Sequence, residues 1–145
     1  MFMLHPRTGI LALAGLMLVG CSSVGAAPEG GGLASARVTG TVAYRERIAL
    51  PHSAVIKVQL LDVSRADAPA IVLGEQVIQA NGRQVPFAFE IAYDPAKIEA
   101  SHSYAVQARI EDGGHLRFIT DQHYAVITRG APNEINLVLK AAGPR

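Results

Sequence analysis

Apolar residues recur at every second position over most of residues 37–141. The clearest stretch is "VPFAFEIAY", residues 85–93, in which large apolar side chains alternate with small or charged ones. Successive side chains of a strand point to opposite faces, so this alternation predicts a β-strand with one buried face. Similar runs predict further strands, about eight in all: "RVTGTVAY", "AVIKVQLLDV", "AIVLGEQVI", "YAVQARI", "HLRFIT", "YAVIT" and "INLVLK".

Turn signals separate these runs. "ANGRQ" and "EDGGH" contain Asn-Gly and Asp-Gly pairs, which supply the positive φ that tight hairpins need. Asp94 and Pro95 favour the start of one short helical turn near residues 94–100. This spacing of strands without a long helix predicts an all-β domain over residues 36–141, an antiparallel β-sandwich or small barrel of about 7–8 strands.

The first twenty residues follow a different pattern. Arg7 precedes an uncharged stretch centred on "ILALAGLMLV". A short positive region followed by an apolar run is typical of a secretory signal peptide, which we predict over residues 1–20. A transmembrane helix is the alternative, but it needs about 20 mostly apolar residues, and the following "GCSSVGAAPEGGG" is too polar to extend the run.

The only cysteine of the chain lies directly after this segment. Leu18-Val19-Gly20-Cys21 resembles the lipobox of bacterial lipoproteins. The resemblance implies cleavage between Gly20 and Cys21, a diacylglycerol on the thiol and an acylated new amino terminus. The residue after the cysteine is Ser22, whereas an aspartate at that position would resemble the inner-membrane retention signal of Gram-negative bacteria. The resemblance therefore implies an anchor in the outer membrane, with the domain facing the periplasm. The alternative is a signal peptide cleaved elsewhere, with Cys21 incidental.

A tether is predicted between this anchor and the domain. Residues 22–35 consist almost wholly of Gly, Ala, Ser and Pro, which cannot bury enough apolar surface to fold. We therefore assign residues 21–35 to a lipidated cysteine and a flexible tether. A chain of this length typically reaches on the order of 20 Å.

Charge and cysteine content argue against nucleic-acid binding, an intramolecular disulfide and a cysteine-based zinc site. The 13 basic and 12 acidic side chains are spread thinly, so no basic surface for nucleic acid is predicted. A single cysteine cannot form an intramolecular disulfide, nor a zinc site built on paired cysteines.

Four segments, which begin at "ALPHSAV", "GRQVPFA", "SYAVQAR" and "YAVITRG", follow one another along the domain. Their order resembles the YbaY/YscW-type lipoprotein family over roughly residues 36–140, and the chain is more similar to the generic members of that family than to its secretion-system members. The resemblance implies a β-sandwich on an outer-membrane lipid anchor. For the secretion-system members it implies a chaperone, or pilotin, that helps a secretin ring subunit reach the outer membrane. An outer-membrane protein or a secretin-like subunit is therefore the implied partner. The segments that carry the resemblance are "ALPHSAVIKVQLLDVSRADAP", "GRQVPFAFEIAYDPAKI", "SYAVQARIEDGGHLRFITD" and "YAVITRG".

Catalytic and metal-binding chemistry has few candidate residues. Asp121 and His123 would share one face of a regular strand, but a metal site needs three or four converging ligands. "SHS" at residues 101–103 lacks the glycines of a nucleophile turn and instead predicts a turn with local hydrogen bonds. We therefore predict no catalytic residue, no bound metal and no cofactor. The candidate residues considered are His52, His102, His115, His123, Asp112 and Asp121.

Two other functions remain open. The aromatic residues could line a cavity for a small apolar ligand or lipid, or they could fill the core. An exposed edge strand or apolar groove would instead favour peptide capture by strand addition, which suits a chaperone. A third hypothesis is a purely structural envelope lipoprotein, and no ligand-binding residue is assigned. The aromatic set is Phe87, Phe89, Tyr93, Tyr104, Phe118 and Tyr124.

We expect Cys21→Ser to leave the β-domain folded and to release it from the membrane. The anchor and the core share no contacts in this interpretation, and acyl chains alone provide stable attachment. Fractionation of cells after a high-salt wash, with circular dichroism of the released protein, measures both effects. A variant that still sediments with the outer membrane would contradict the lipid anchor.

Overall fold

The computed structural model describes residues 35–143. The predicted signal peptide, the lipobox with Cys21 and the tether as far as residue 34 lie outside the described residues. Within residues 35–143, no helix is both long enough and apolar enough to cross a membrane.

The domain contains eight β-strands and one short 3-10 helix. The helix, Pro95–Lys97, begins after Asp94, whose carboxylate accepts a hydrogen bond from the Ala96 N–H at 2.9 Å. The all-β fold, the number of strands and the single helical turn are thus confirmed. The strands are β1 (Ala36–Tyr44), β2 (Val55–Asp62), β3 (Ile71–Gln79), β4 (Phe87–Tyr93), β5 (Tyr104–Asp112), β6 (His115–Thr120), β7 (Tyr124–Val126) and β8 (Glu134–Ala141).

All eight strands belong to one barrel-shaped sheet in the order β3-β2-β5-β6-β8-β1-β4, with β7 paired to β5. The sheet is nearly closed where its edge strands β3 and β4 meet. The Glu90 N–H donates to Gln76 Oε1 at 2.7 Å. A Cβ at Gly74 would lie 2.5 Å from Ile91 Cγ2, so glycine is what lets the strands approach. Side chains therefore close this seam.

One strand pairing differs from the antiparallel arrangement that we predicted. β1 runs parallel to β8, whereas the other pairings in the described domain are antiparallel. Parallel neighbours require a long connection, and here nearly the whole domain separates the two strands. Alternation of apolar residues marks a buried face and carries no information on strand direction, so the sequence pattern could not reveal this pair.

Large apolar side chains fill the interior of the sheet. Phe87 and Phe89 are each 3% exposed, and the Tyr44 and Phe118 rings stack with their centroids 4.1 Å apart. Of the six aromatic residues singled out above, only Tyr124 is half-buried, and its hydroxyl donates to the Val138 carbonyl at 3.1 Å. Five of the six aromatic residues thus pack in the core, as the core-filling interpretation expects.

We expect Phe89→Ala to lower the free energy of unfolding by about 3–5 kcal/mol, because truncating a buried phenylalanine leaves a cavity. Val77→Ala is the control: Val77 is 50% exposed on β3, and its loss should cost under about 0.5 kcal/mol. Urea denaturation measures both values. Equal costs for the two variants would contradict the inward register of Phe89.

Candidate functional site

An open cleft of about 460 Å³ lies at the end of the sheet where β4 stops. Most of its lining is apolar, and one exposed cationic side chain, Arg129, lies on it. We call this the end cleft. One wall comes from the segment that follows β4 and the other from the turn that follows β7. The lining residues are Tyr93, Pro95, Ile98, Ala100, Ile127, Thr128 and Arg129.

The first wall follows from how β4 ends. Alternation along β4 buries Tyr93, and Pro95 then has no N–H with which to continue a strand. The 3-10 helix turns the chain, and the Ile98 N–H donates to the Pro95 carbonyl at 3.2 Å. Ile98 packs against the core, while Ala100 stays exposed at the rim. A short turn therefore presents apolar side chains at the end of the sheet.

The second wall has an unusual backbone. Ile127 has φ of +71°, and the Thr128 N–H donates to the Val126 carbonyl at 2.8 Å, which forms a three-residue γ-turn. Arg129 follows with φ of +59°. A β-branched residue rarely adopts positive φ, and such conformations cost on the order of 1–3 kcal/mol each. Strained backbone of this kind is found mainly at functional sites.

Two hydrogen bonds join the walls. Thr128 Oγ1 donates to the His102 carbonyl at 2.7 Å, and Arg129 Nη2 donates to the Ser101 carbonyl at 3.0 Å. Both acceptors lie in the segment that runs from the 3-10 helix into β5. This segment, residues 99–103, therefore holds the strained turn in place, and we call it the clamp segment.

The His102 ring fixes the clamp segment to the end of β2. Its Nδ1 lies 2.8 Å from Asp62 Oδ2, and its Nε2 lies 3.1 Å from Glu99 Oε2. The Asp62 carboxylate also accepts hydrogen bonds from the Ser64 N–H and hydroxyl, and the Ser103 N–H donates to the Ser64 hydroxyl. One histidine thus bridges two carboxylates beside the end cleft.

The Asp62 carboxyl has a pKa below its ordinary value. Burial alone would raise the pKa of Asp62. The hydrogen bonds from Ser64 and the interaction with His102 stabilise the ionised carboxylate, and together they outweigh the effect of burial. Asp62 is therefore held as a carboxylate.

Serine, histidine and aspartate meet here without forming a catalytic triad. A triad requires the serine hydroxyl to donate to a histidine that is oriented by the acid. The Ser64 hydroxyl instead donates to Asp62, and both ring nitrogens of His102 contact carboxylates. The arrangement offers no base to a serine nucleophile.

The other candidate residues are not part of this cluster, although His123 lines a neighbouring cleft with Ser103 of the clamp segment. The Asp112 carboxylate accepts from the Ser53 hydroxyl at 2.6 Å, and Asp121 pairs with Lys140. Within residues 35–143, no three His, Cys, Asp or Glu side chains are arranged to hold a metal ion. The other candidate histidines of the described domain are exposed, and they are His52, His115 and His123.

Sequence reasoning missed most of the end cleft. His102 was a candidate, but its partner Asp62 is forty positions away and becomes a neighbour only because Asp62 pairs with Tyr104 across β2 and β5. Glu99 could have been found from its spacing of three residues before His102. Ile127 gives no signal in sequence, since a β-branched residue is the least expected at positive φ.

The fold and the end cleft together define a class of protein, an all-β domain with an open, mostly apolar cleft at one end of its sheet. Apolar lining with a few placed polar groups is typical of ligand and peptide sites. The family model "Type III secretion system lipoprotein chaperone (YscW)" matches residues 33–139. The chain therefore belongs to this family, as its sequence motifs indicated.

Two similar proteins support this assignment. The chain is 40% identical over 93 residues to the "Uncharacterized lipoprotein YbaY" of Escherichia coli K12, an alignment that covers 64% of this chain. It spans about half, 49%, of the length of that relative. A solved structure of an alternative pilotin from the type II secretion system of Vibrio cholerae is 54% identical, with a TM-score of 0.73. That match covers 76% of this chain and 99% of the pilotin.

We expect Asp62→Asn to flatten the dependence of stability on pH in acid. Because the folded-state pKa of Asp62 is lowered, its ionised form stabilises the fold above the ordinary aspartate pKa of about 3.9. This contribution is lost as pH falls through the folded-state pKa. Urea denaturation between pH 6 and pH 3 should therefore show wild type and variant converging. Asp67→Asn, in the exposed turn before β3, is the control and should track wild type. A constant difference between Asp62→Asn and wild type at every pH would contradict this account.

Proposed function

We propose that this chain is a lipid-anchored envelope protein whose end cleft binds an apolar segment of an outer-membrane protein, with a secretin-like subunit as its specific partner. Cys21 carries the lipid, the outer membrane holds it, and the domain faces the periplasm. The role is that of a non-enzymatic chaperone of the pilotin type. Membership of the lipoprotein chaperone family and the likeness to a solved pilotin support this proposal.

The observation that carries the binding role is the end cleft itself. Its apolar walls would remain wet without a partner, and a partner's side chains could displace that water with a gain in free energy. Arg129 adds one exposed positive charge at the rim, which favours a segment with a carboxylate near its apolar residues. The cleft is open, so an extended or helical segment could enter from the side.

The position of the cleft suits a tethered protein. The described chain enters the sheet at β1, where Ala36 pairs with Tyr93 of the end cleft. The proposed tether therefore joins the domain at the same end as the cleft. A partner segment bound there would lie near the point at which the proposed tether joins the domain.

The clusters near the cleft support binding over catalysis. The Ser64, Asp62 and His102 side chains are engaged with one another in a way that leaves no activated nucleophile. Packing of the aromatic residues in the core also removes the reason for proposing an enclosed lipid site.

We expect a photo-crosslinking amino acid at position 100 to capture one discrete outer-membrane protein in intact cells, because Ala100 lies exposed on the cleft rim. Ala88, exposed on the outer side of β4, is the matched control position and should give no such adduct. Mass spectrometry of the adduct identifies the captured protein. Recovery of a secretin-like subunit is the expected result.

A charge reversal at the rim provides the second part of this experiment. Arg129→Glu should reduce the adduct from position 100 severalfold, because it reverses the rim charge and removes the donor to the Ser101 carbonyl. Arg117→Glu, an exposed position on β6, should leave the yield unchanged. Equal adducts from positions 88 and 100, or no discrete partner at either, would contradict the proposal and favour a purely structural envelope role.

A further inference from the structure

We propose that His102 is a proton-dependent latch that orders the end cleft as pH falls and loosens it as pH rises. The inference deepens the proposed function, because its consequence for binding rests on the end cleft being the binding site. The latch itself is a property of the free domain and rests on the contacts of His102.

Hydrogen-bond chemistry shows why the charged ring fits its surroundings. Both ring nitrogens lie within 3.1 Å of carboxylate oxygens, and an ionised carboxylate can only accept hydrogen bonds. A neutral imidazole carries one N–H, so it can satisfy one carboxylate while its other nitrogen faces the second carboxylate with a lone pair. Only the imidazolium donates to Asp62 and Glu99 together. The arrangement is complete when His102 is protonated.

The charged groups around the His102 ring come from several elements. Asp62 and Glu99 carry the negative charges in direct contact. The Tyr104 ring is tilted against the imidazole with centroids 6.4 Å apart, and its hydroxyl accepts from the Glu99 N–H. Two cations lie further out: Arg65 lines a second cleft together with Asp62 and His102, and Arg129 donates a hydrogen bond to the Ser101 carbonyl. The titratable ring of His123 lines a third cleft with Ser103 and Thr128.

Deprotonation should release the Glu99 side of the latch first. The contact with Asp62 is the shorter one, and the Asp62 side chain is 14% exposed against 66% for Glu99. A single remaining N–H would therefore stay on Asp62, where water competes less. Glu99 would then lose its partner, and water would solvate it readily.

Loss of that contact reaches the end cleft through the clamp segment. Glu99 is followed by Ala100 of the rim and then by Ser101, whose carbonyl accepts a hydrogen bond from the Arg129 guanidinium. The His102 carbonyl receives the Thr128 hydroxyl in the same way. The strained γ-turn at Ile127 is held by backbone hydrogen bonds within residues 126–132 and by packing of Ile127 on the core, and these two side-chain bonds join it to the clamp segment. Weakening the clamp segment should therefore loosen the second wall as well.

Hydrogen-deuterium exchange of the full chain in detergent, without any partner, tests the latch. Histidine side chains change charge between about pH 5 and pH 8. After correction for intrinsic exchange rates, peptides that cover residues 98–104 and 126–133 should be about two- to fivefold better protected at pH 6 than at pH 8, the scale expected for partly exposed ion pairs. Peptides from β6, and from β2 as far as residue 60, should not respond.

Three variants assign the response. His102→Asn cannot gain a proton and should lose the pH dependence. Glu99→Gln should also lose it but keep the cleft protected at both pH values, because an amide can donate to a neutral ring nitrogen. His115→Asn, at an exposed histidine on β6, should behave as wild type.

The outcomes separate the latch from the proposed function. Equal protection of wild type at pH 6 and pH 8, or an unchanged response in His102→Asn, would overturn the latch. If His102→Asn does not fold, Glu99→Gln still decides, since its side chain is largely exposed. A pH response in the free chain together with failed crosslinking from position 100 would keep the latch and reject the binding role.

Discussion

The close approach of the first and last strands at Gly40 is the constraint on which the rest of the domain depends. A Cβ at this position would lie 1.7 Å from the Ile135 carbonyl oxygen, so only glycine lets β1 lie beside β8. β1 also pairs with β4 on its other side. It therefore joins β4 to the rest of the sheet, and without it the path would end at β8. The register of β1 also places the end of β4 and the turn before β8 at the same end of the sheet, which makes the end cleft possible.

The two walls of the end cleft have unequal support. The first follows directly from a buried strand and packs on the core through Ile98. The second also packs on the core, through Ile127, but Ile127 has positive φ and two side-chain donors join this wall to the clamp segment. A cleft with one wall that is strained and partly held by polar contacts can change its shape without unfolding the sheet. The clamp segment therefore connects the fold, which is stable through burial, to the site, which is stable through hydrogen bonds and charge.

The sequence predicted the fold much better than the site, for a physical reason. Burial of one strand face imposes a period of two, which is visible in any stretch such as residues 85–93, and turns require a few recognisable residue types. The parallel pairing of β1 and β8 left no trace, because alternation is the same in both directions. The contact between Asp62 and His102 depends on the register of β2 against β5, which no local pattern encodes. The γ-turn at Ile127 departs from the conformational preference of a β-branched residue and is visible only in the backbone of the structure.

Cys21 shows the opposite case. Its motif is local and is visible in the sequence, but its role stays a prediction because it lies outside the described residues.

Strain, charge and the entry point of the chain coincide at one end of the sheet. The positive φ values of Ile127 and Arg129, the bridge from His102 to two carboxylates, and the pairing of Ala36 with Tyr93 all occur there. Packing alone does not require this, since strained backbone destabilises a fold and exposed paired charges stabilise it less than apolar burial does. Under the proposed function the coincidence has a physical reason. A tethered chaperone must bind its partner and later release it. Such a protein needs a cleft whose walls can become ordered or mobile when a few hydrogen bonds or ion pairs form or break. A packed core could not be adjusted in this way, whereas a wall held by the clamp segment can.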